Sequence, residues 1–124
     1  MLRIADLADA ADPLLLIWGD EAALNGLAAR LRDAALTGAG TTLVDPVRAL
    51  RVTLQIDEAG GGLIRSPGAG LKWVVRPTDC DRFAALVDVV SSSNAACHHY
   101  LDDAEGRGLT IKVSKGEYSE EFGS

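Results

Sequence analysis

Between residues 50 and 56 the chain reads Leu50-Arg51-Val52-Thr53-Leu54-Gln55-Ile56. Apolar side chains take every second position and polar ones fill the gaps, a period of two that only a strand sorts onto two faces. One face of such a strand meets a core and the other meets water. A lone strand cannot cover itself, so the rest of the chain must supply paired strands and a second layer over Leu50, Val52, Leu54 and Ile56.

Candidates for both lie on either side. Leu14-Leu15-Leu16-Ile17-Trp18 is apolar on both parities, as expected of a strand buried on two faces. Asp20 then caps a helix whose Leu24, Leu27, Ala28, Leu31 and Ala35 form one stripe, ended by Gly38-Ala39-Gly40. Residues 41–49 read as a connection with a short strand at Thr42-Leu43-Val44. After the alternating strand, glycine-rich turns at Gly60-Gly61-Gly62 and Ser66–Gly70 bracket Leu63-Ile64-Arg65 and precede Leu71–Arg76. Three strands joined in this way predict an antiparallel meander. Thr78 reads as the cap of a second helix, with Asp81 as a weaker capping-box partner and a stripe of Phe83, Leu86, Val87 and Val90. Ser91-Ser92-Ser93-Asn94 ends it, and a hairpin follows with strands near Ala96–Leu101 and Leu109–Val113.

The expected order is β-α-β-β-β-α-β-β, a single α+β domain over residues 1–124 with one mostly antiparallel sheet and both helices on one face. Residues 1–12 read as a flexible arm or a short edge element. There is an internal echo: Ile17-Trp18 and Val74-Val75 each feed a capped helix with a similar apolar stripe.

A chain of 124 residues with 48% hydrophobic and 24% charged content is one ordinary globular domain. Its net charge of −6 argues against a general nucleic-acid-binding role, which needs a surplus of lysine and arginine. Aspartates at positions 6, 9 and 12 interrupt any secretory leader, and the apolar run Leu14–Trp18 is too short to span a bilayer. Two cysteines make no disulfide framework, so Cys80 and Cys97 are expected as free thiols in a cytoplasmic protein.

The chemistry-bearing side chains gather near the end. On a strand His98 and Tyr100 share one face while Cys97, His99 and Leu101 share the other, so the adjacent histidines separate. His99 then goes to the core side and His98, beside Tyr100, to the open side. Histidine is suited to proton transfer near neutrality, yet the plainer expectation is a hydrogen-bonded core histidine at His99 and a surface one at His98. Cys97 and His99 lack the spacing of a zinc site, so no metal or cofactor is expected. Cys80, near a helix start, sits where backbone amides can lower a thiol's pKa, although a small half-buried residue is the simpler reading. No glycine arrangement matches a phosphate-binding loop.

Charge is placed unevenly. Arg51, Lys72 and Arg76 share the parity opposite the inward apolar residues and are expected on the helix-free face of the sheet. That face, with His98 and Tyr100 adjoining it, reads as a binding surface for an acidic partner or as a solvated sheet face. The acidic clusters Asp102-Asp103-Glu105 and Glu117-Glu120-Glu121 suit a basic partner equally well. No catalytic residue is assigned.

The closing pattern His98-His99-Tyr100-Leu101-Asp102, then Ile111-Lys112-Val113-Ser114-Lys115-Gly116-Glu117-Tyr118, resembles a C-terminal pattern in small uncharacterised bacterial proteins. The Gly19-Asp20…Leu24…Leu27 opening is similar too. The resemblance implies a bacterial protein of unknown function and carries over no catalytic residues. In size, charge and class the chain also resembles immunity proteins of bacterial toxin systems. The expectation is a non-enzymatic binding or regulatory protein with a protein partner or a second copy of itself, and no membrane or nucleic acid. The alternative is a small enzyme or ligand-binding domain built on His98, His99, Tyr100 and Glu117.

Overall fold

The computed structural model describes residues 1–7, 13–66 and 70–122. The turn expected around Pro67-Gly68-Ala69 and the part of the N-terminal arm at 8–12 lie outside the described residues. The elements run β1 (Arg3–Leu7), β2 (Leu14–Trp18), α1 (Glu21–Thr37), β3 (Thr41–Asp45), β4 (Leu50–Ile56), β5 (Gly62–Ser66), β6 (Gly70–Val75), α2 (Pro77–Ser92), β7 (Cys97–Tyr100) and β8 (Thr110–Lys115). The α+β class holds, but the single antiparallel sheet does not. There are two four-stranded mixed sheets, sheet A in the order β1-β2-β8-β7 and sheet B in the order β3-β4-β6-β5.

The departures have local causes. Thr41–Asp45 is a full strand because Leu43 reaches the core and the strand pairs antiparallel with β4, Leu43 opposite Val52. The expected meander fails at its first turn. β4 pairs with β6 in parallel, Leu54 opposite Trp73, and β5 pairs with the far side of β6. The residues after β4 therefore do not make a tight hairpin; they carry the chain past the end of β6, where the Asp57 amide donates to the Val75 carbonyl. Glycine is required where that crossing ends. Gly62 has φ +78°, and a Cβ there would collide with the Arg107 carbonyl. Helix α1 has its expected cap, Asp20 accepting from the Ala23 amide at 2.8 Å, and ends at Gly38 in the left-handed region. Helix α2 starts one residue before Thr78, because Pro77 occupies the first helical position and Arg76 is the uncapped flanking residue.

One core joins everything. Ile4, Leu15, Ile17, Leu43, Val52, Leu54, Leu63, Trp73, Ile111 and Val113 present one face of each sheet to the buried stripes of both helices. Trp73 stacks on Phe83 with ring centroids 5.5 Å apart. Both helices carry the chain from one sheet to the other, so neither sheet is complete without the opposite half of the sequence.

The echo seen in the sequence is a repeat of the whole ββαββ unit. Leu24, Leu27, Ala28, Leu31 and Ala34 of α1 correspond in spacing to Cys80, Phe83, Ala84, Val87 and Val90 of α2, all buried. Ile4–Ile17–Val113 across sheet A matches Leu63–Trp73–Leu54 across sheet B. Equivalent positions meet, as across an isologous dimer interface. Arg32, next after Leu31, pairs with Asp88, next after Val87. Asp6, two beyond Ile4, pairs with Arg65, two beyond Leu63, at 2.7 Å.

The repeat extends to the turns that tie the sheets together. Asp45 ends β3 and accepts from the amides of Val47 and Arg48 in its own turn, and from the Arg3 guanidinium and Ile4 amide of β1 in the other sheet. Asp103 accepts from the amides of Glu105 and Arg107 and from the Arg107 guanidinium, which also donates to the Ala59 carbonyl ahead of β5. Burial works to raise the Asp45 carboxyl, but the Ile4, Arg48 and Val47 amides and the Arg3 guanidinium outweigh it and hold it at about 2. The Arg107 guanidinium, helped by the turn amides, holds Asp103 at about 2 against its own burial. Each turn ends on a left-handed residue before a leucine, Ala49 (φ 54°) and Gly108 (φ 79°).

Two outcomes follow from these turns. An unfolded aspartate binds protons in the window from about pH 4 down to about 2, whereas folded Asp45 and Asp103 do not. Stability is therefore expected to be intact above pH 4 and to fall through that window. Asp45→Asn should cost ~3 kcal/mol by stranding buried Arg3 and should flatten the acid slope in urea titrations run from pH 5 to pH 2.5. Ala49→Gly should raise stability by ~0.5 kcal/mol, relief of the left-handed penalty exceeding the entropy glycine adds to the unfolded chain; the urea midpoint reports it.

Candidate binding surfaces

The five residues expected to form one surface lie in three places. His98 and Tyr100 stand on the outer face of sheet A, Arg51 and Lys72 on the outer face of sheet B, and Arg76 follows β6. Arg76 is drawn away from the sheet face by Glu105 of the β7–β8 loop, which accepts from its guanidinium at 2.6 Å.

On sheet A the outer face is closed by the chain's own end. Ala5, Leu16 and Trp18 are buried beneath Tyr118 and Phe122. The Phe122 ring meets Trp18 edge-on at 5.8 Å and Tyr118 at 4.7 Å. Trp18 Nε1 donates to the Ser119 carbonyl at 3.0 Å, and Arg3 and Arg48, both lying over the Trp18 ring, donate to the carbonyls of Glu120 and Phe122. These arginines lock the tail through its main chain, which bends and turns so that the Phe122 amide donates to the Ser119 carbonyl, and its course is held irrespective of the exposed Glu120 and Glu121 side chains.

His98 and Tyr100 border this strap. The His98 and Tyr100 rings meet edge-on at 5.6 Å, and His98 Nδ1 lies 2.9 Å from Glu117 Oε2. The other Glu117 oxygen accepts from the buried Ser114 hydroxyl at 2.5 Å, and Lys112 Nζ lies 3.6 Å from it and donates to the Tyr118 hydroxyl at 3.0 Å. The Ser114 hydroxyl, then His98 and Lys112, pull the Glu117 carboxyl below its usual range against its partial burial. Ser114, Glu117 and His98 do not form a nucleophilic triad, since serine donates to the carboxylate instead of to the imidazole and is fully buried. What the cluster does is fasten the start of the tail. His99 points the other way, half-buried and opposite Val113, while neighbouring Leu101 is buried in the core.

Among the described residues, sheet B presents the matching face without a strap. Thr42 and Val44 of β3, Arg51, Thr53 and Gln55 of β4, Ile64 of β5, and Lys72 and Val74 of β6 point outward, and Val44 and Ile64 are exposed. Among the described residues Arg51 and Lys72 have no ion-pair partner, in contrast to Lys112 on sheet A. Neither outer face has an acidic residue on its described strands; the difference is that on sheet A the tail's Glu117 reaches Lys112.

Two other features lose their chemical interest. Cys80 is fully buried, and burial, reinforced by Asp81 and Asp79, pushes its thiol up to about 11, the reverse of activation. A cavity of about 210 Å³ at the β7–β8 loop is lined by Asp102, Asp103, Arg107 and Thr110, but Asp103 and Arg107 are already bonded to each other. Among the described residues no group of three or more His, Cys, Asp and Glu side chains is placed to hold a metal ion, and no helix is long and apolar enough to cross a membrane. The tail's grip on sheet A escaped sequence reasoning; its only sequence signal was the aromatic pair Tyr118 and Phe122 near the end, and the approach of Arg3 and Arg48 to Trp18 arises only in the fold. No family model, curated protein or solved structure matches the chain.

At pH 7.5 an alkylating reagent should modify half-exposed Cys97 and leave Cys80 untouched in the folded protein, with both reacting in denaturant; intact-mass spectrometry gives the count and peptide mapping the site.

Proposed function

We propose that this chain is a non-enzymatic bacterial binding or regulatory protein, comparable in kind to an immunity protein, which docks a protein partner on the outer face of sheet B. The observation that carries this reading is the asymmetry between the two repeats. Sheet A's outer face is covered by residues 116–122, whereas on the matching face of sheet B no described residue covers Arg51, Val44, Ile64 and the half-exposed Lys72. Cations without partners, set among aliphatic and threonine side chains, favour association with an oppositely charged surface and speed its encounter. A catalytic reading has less support: Cys80 is buried and deactivated, and His98, Tyr100 and Glu117 converge on a contact that holds the tail.

Lysine-directed crosslinking distinguishes the surfaces, because Lys72 lies on sheet B while Lys112 and Lys115 lie on β8 of sheet A. In cells producing the chain with its native neighbours, a specific partner should crosslink through Lys72. Retention of that partner by the Arg51→Glu, Lys72→Glu variant should fall at least ~10-fold, roughly 1.4 kcal/mol, with the urea midpoint unchanged. Crosslinks through Lys112 alone, or undiminished retention by the double variant, would overturn the proposal.

A further inference from the structure

The internal repeat supplies a template for what sheet B receives. Row by row across the outer faces, Ala5, Leu16, Lys112 and Tyr100 of sheet A correspond to Ile64, Lys72, Thr53 and Thr42 of sheet B. Each face thus carries one lysine in its middle row on a central strand, opposite Leu16 in one sheet and opposite Thr53 in the other. In sheet A that lysine is engaged by the tail, with Glu117 and the Tyr118 hydroxyl converging on Lys112 Nζ. In sheet B Lys72 faces outward beside Thr53, with Arg51 one row away and no carboxylate supplied by the described residues of the chain.

We infer that the occupant of sheet B's outer face is a short acidic segment of another protein, folded over the sheet as the turned residues 116–122 are folded over sheet A. This rests on the docking proposal above and adds the chemistry of the partner. Lys72 and Arg51 take its carboxylates, Ile64, Val74 and Val44 seat its apolar side chains, and Thr42, Thr53 and Gln55 offer hydrogen-bonding groups to its main chain. Sheet B has no counterpart of the Trp18 and Arg3 grip, Val74 and Gly62 standing at those places. Affinity on this face therefore leans on charge more than aromatic stacking does on sheet A, and it should weaken as salt rises.

The probe is a synthetic peptide with the sequence of residues 116–122, Gly-Glu-Tyr-Ser-Glu-Glu-Phe, added to the ¹⁵N-labelled full chain, whose sheet A is already covered. Amide shifts are expected at Arg51, Thr53, Lys72 and Val74. Affinity should drop at least ~10-fold when the peptide glutamates become glutamines, or in the Lys72→Glu chain, a loss of roughly 1.4 kcal/mol. Shifts confined to Trp18, Lys112 and the tail would mean that the peptide merely exchanges with the strap, and would overturn the inference. Absence of binding would overturn it as well. Should the native partner still crosslink through Lys72 in either case, the docking face stands and its occupant is a broad folded surface instead of a short acidic segment.

Discussion

The parallel pairs at the centres of the two sheets are the contacts on which the rest of this structure depends. Ile17 lies opposite Val113 in sheet A and Leu54 opposite Trp73 in sheet B. Parallel neighbours cannot be joined by a tight turn, so each pair recruits strands separated by a long stretch of chain. In sheet A those strands come from opposite halves of the sequence, and each helix then crosses from one sheet to the other. Hydrophobic burial is shared by all ten elements in one core, which makes partial folding of either sheet unrewarding.

Two buried carboxylates complete that arrangement. Asp45 and Asp103 each organise a turn through main-chain amides and each is joined by an arginine, Arg3 of β1 for Asp45 and, for Asp103, Arg107, which also donates to the Ala59 carbonyl just ahead of β5. The Arg3–Asp45 pair is almost wholly enclosed, and such pairs contribute less through attraction than through the penalty of separating them. Their effect is to specify which turn meets which strand. The acidic sequence thus spends part of its charge internally, and the surfaces differ in what remains.

Those differences define the functional reading. The two repeats share a backbone plan, yet their outer faces diverge. One is largely apolar and roofed by an aromatic, arginine-clamped tail; the other is more polar and, among the described residues, uncovered. His98 and Tyr100, prominent as sequence, belong to the fastening of the roof, whereas Arg51 and Lys72 belong to the open face.

Much was legible from the sequence alone. The strand at Leu50–Ile56, both helices, the Asp20 cap and the separation of His98 from His99 follow from local periodicity and capping, which depend only on near neighbours along the chain. The parity of Arg51 and Lys72 was readable for the same reason. The two-sheet division, the parallel pairing, the diversion of Arg76 to Glu105 and the covering of Trp18 were decided only in three dimensions. Periodicity tells which side of a strand is buried but not which strand lies beside it, and that choice is made by contacts between residues far apart in the chain.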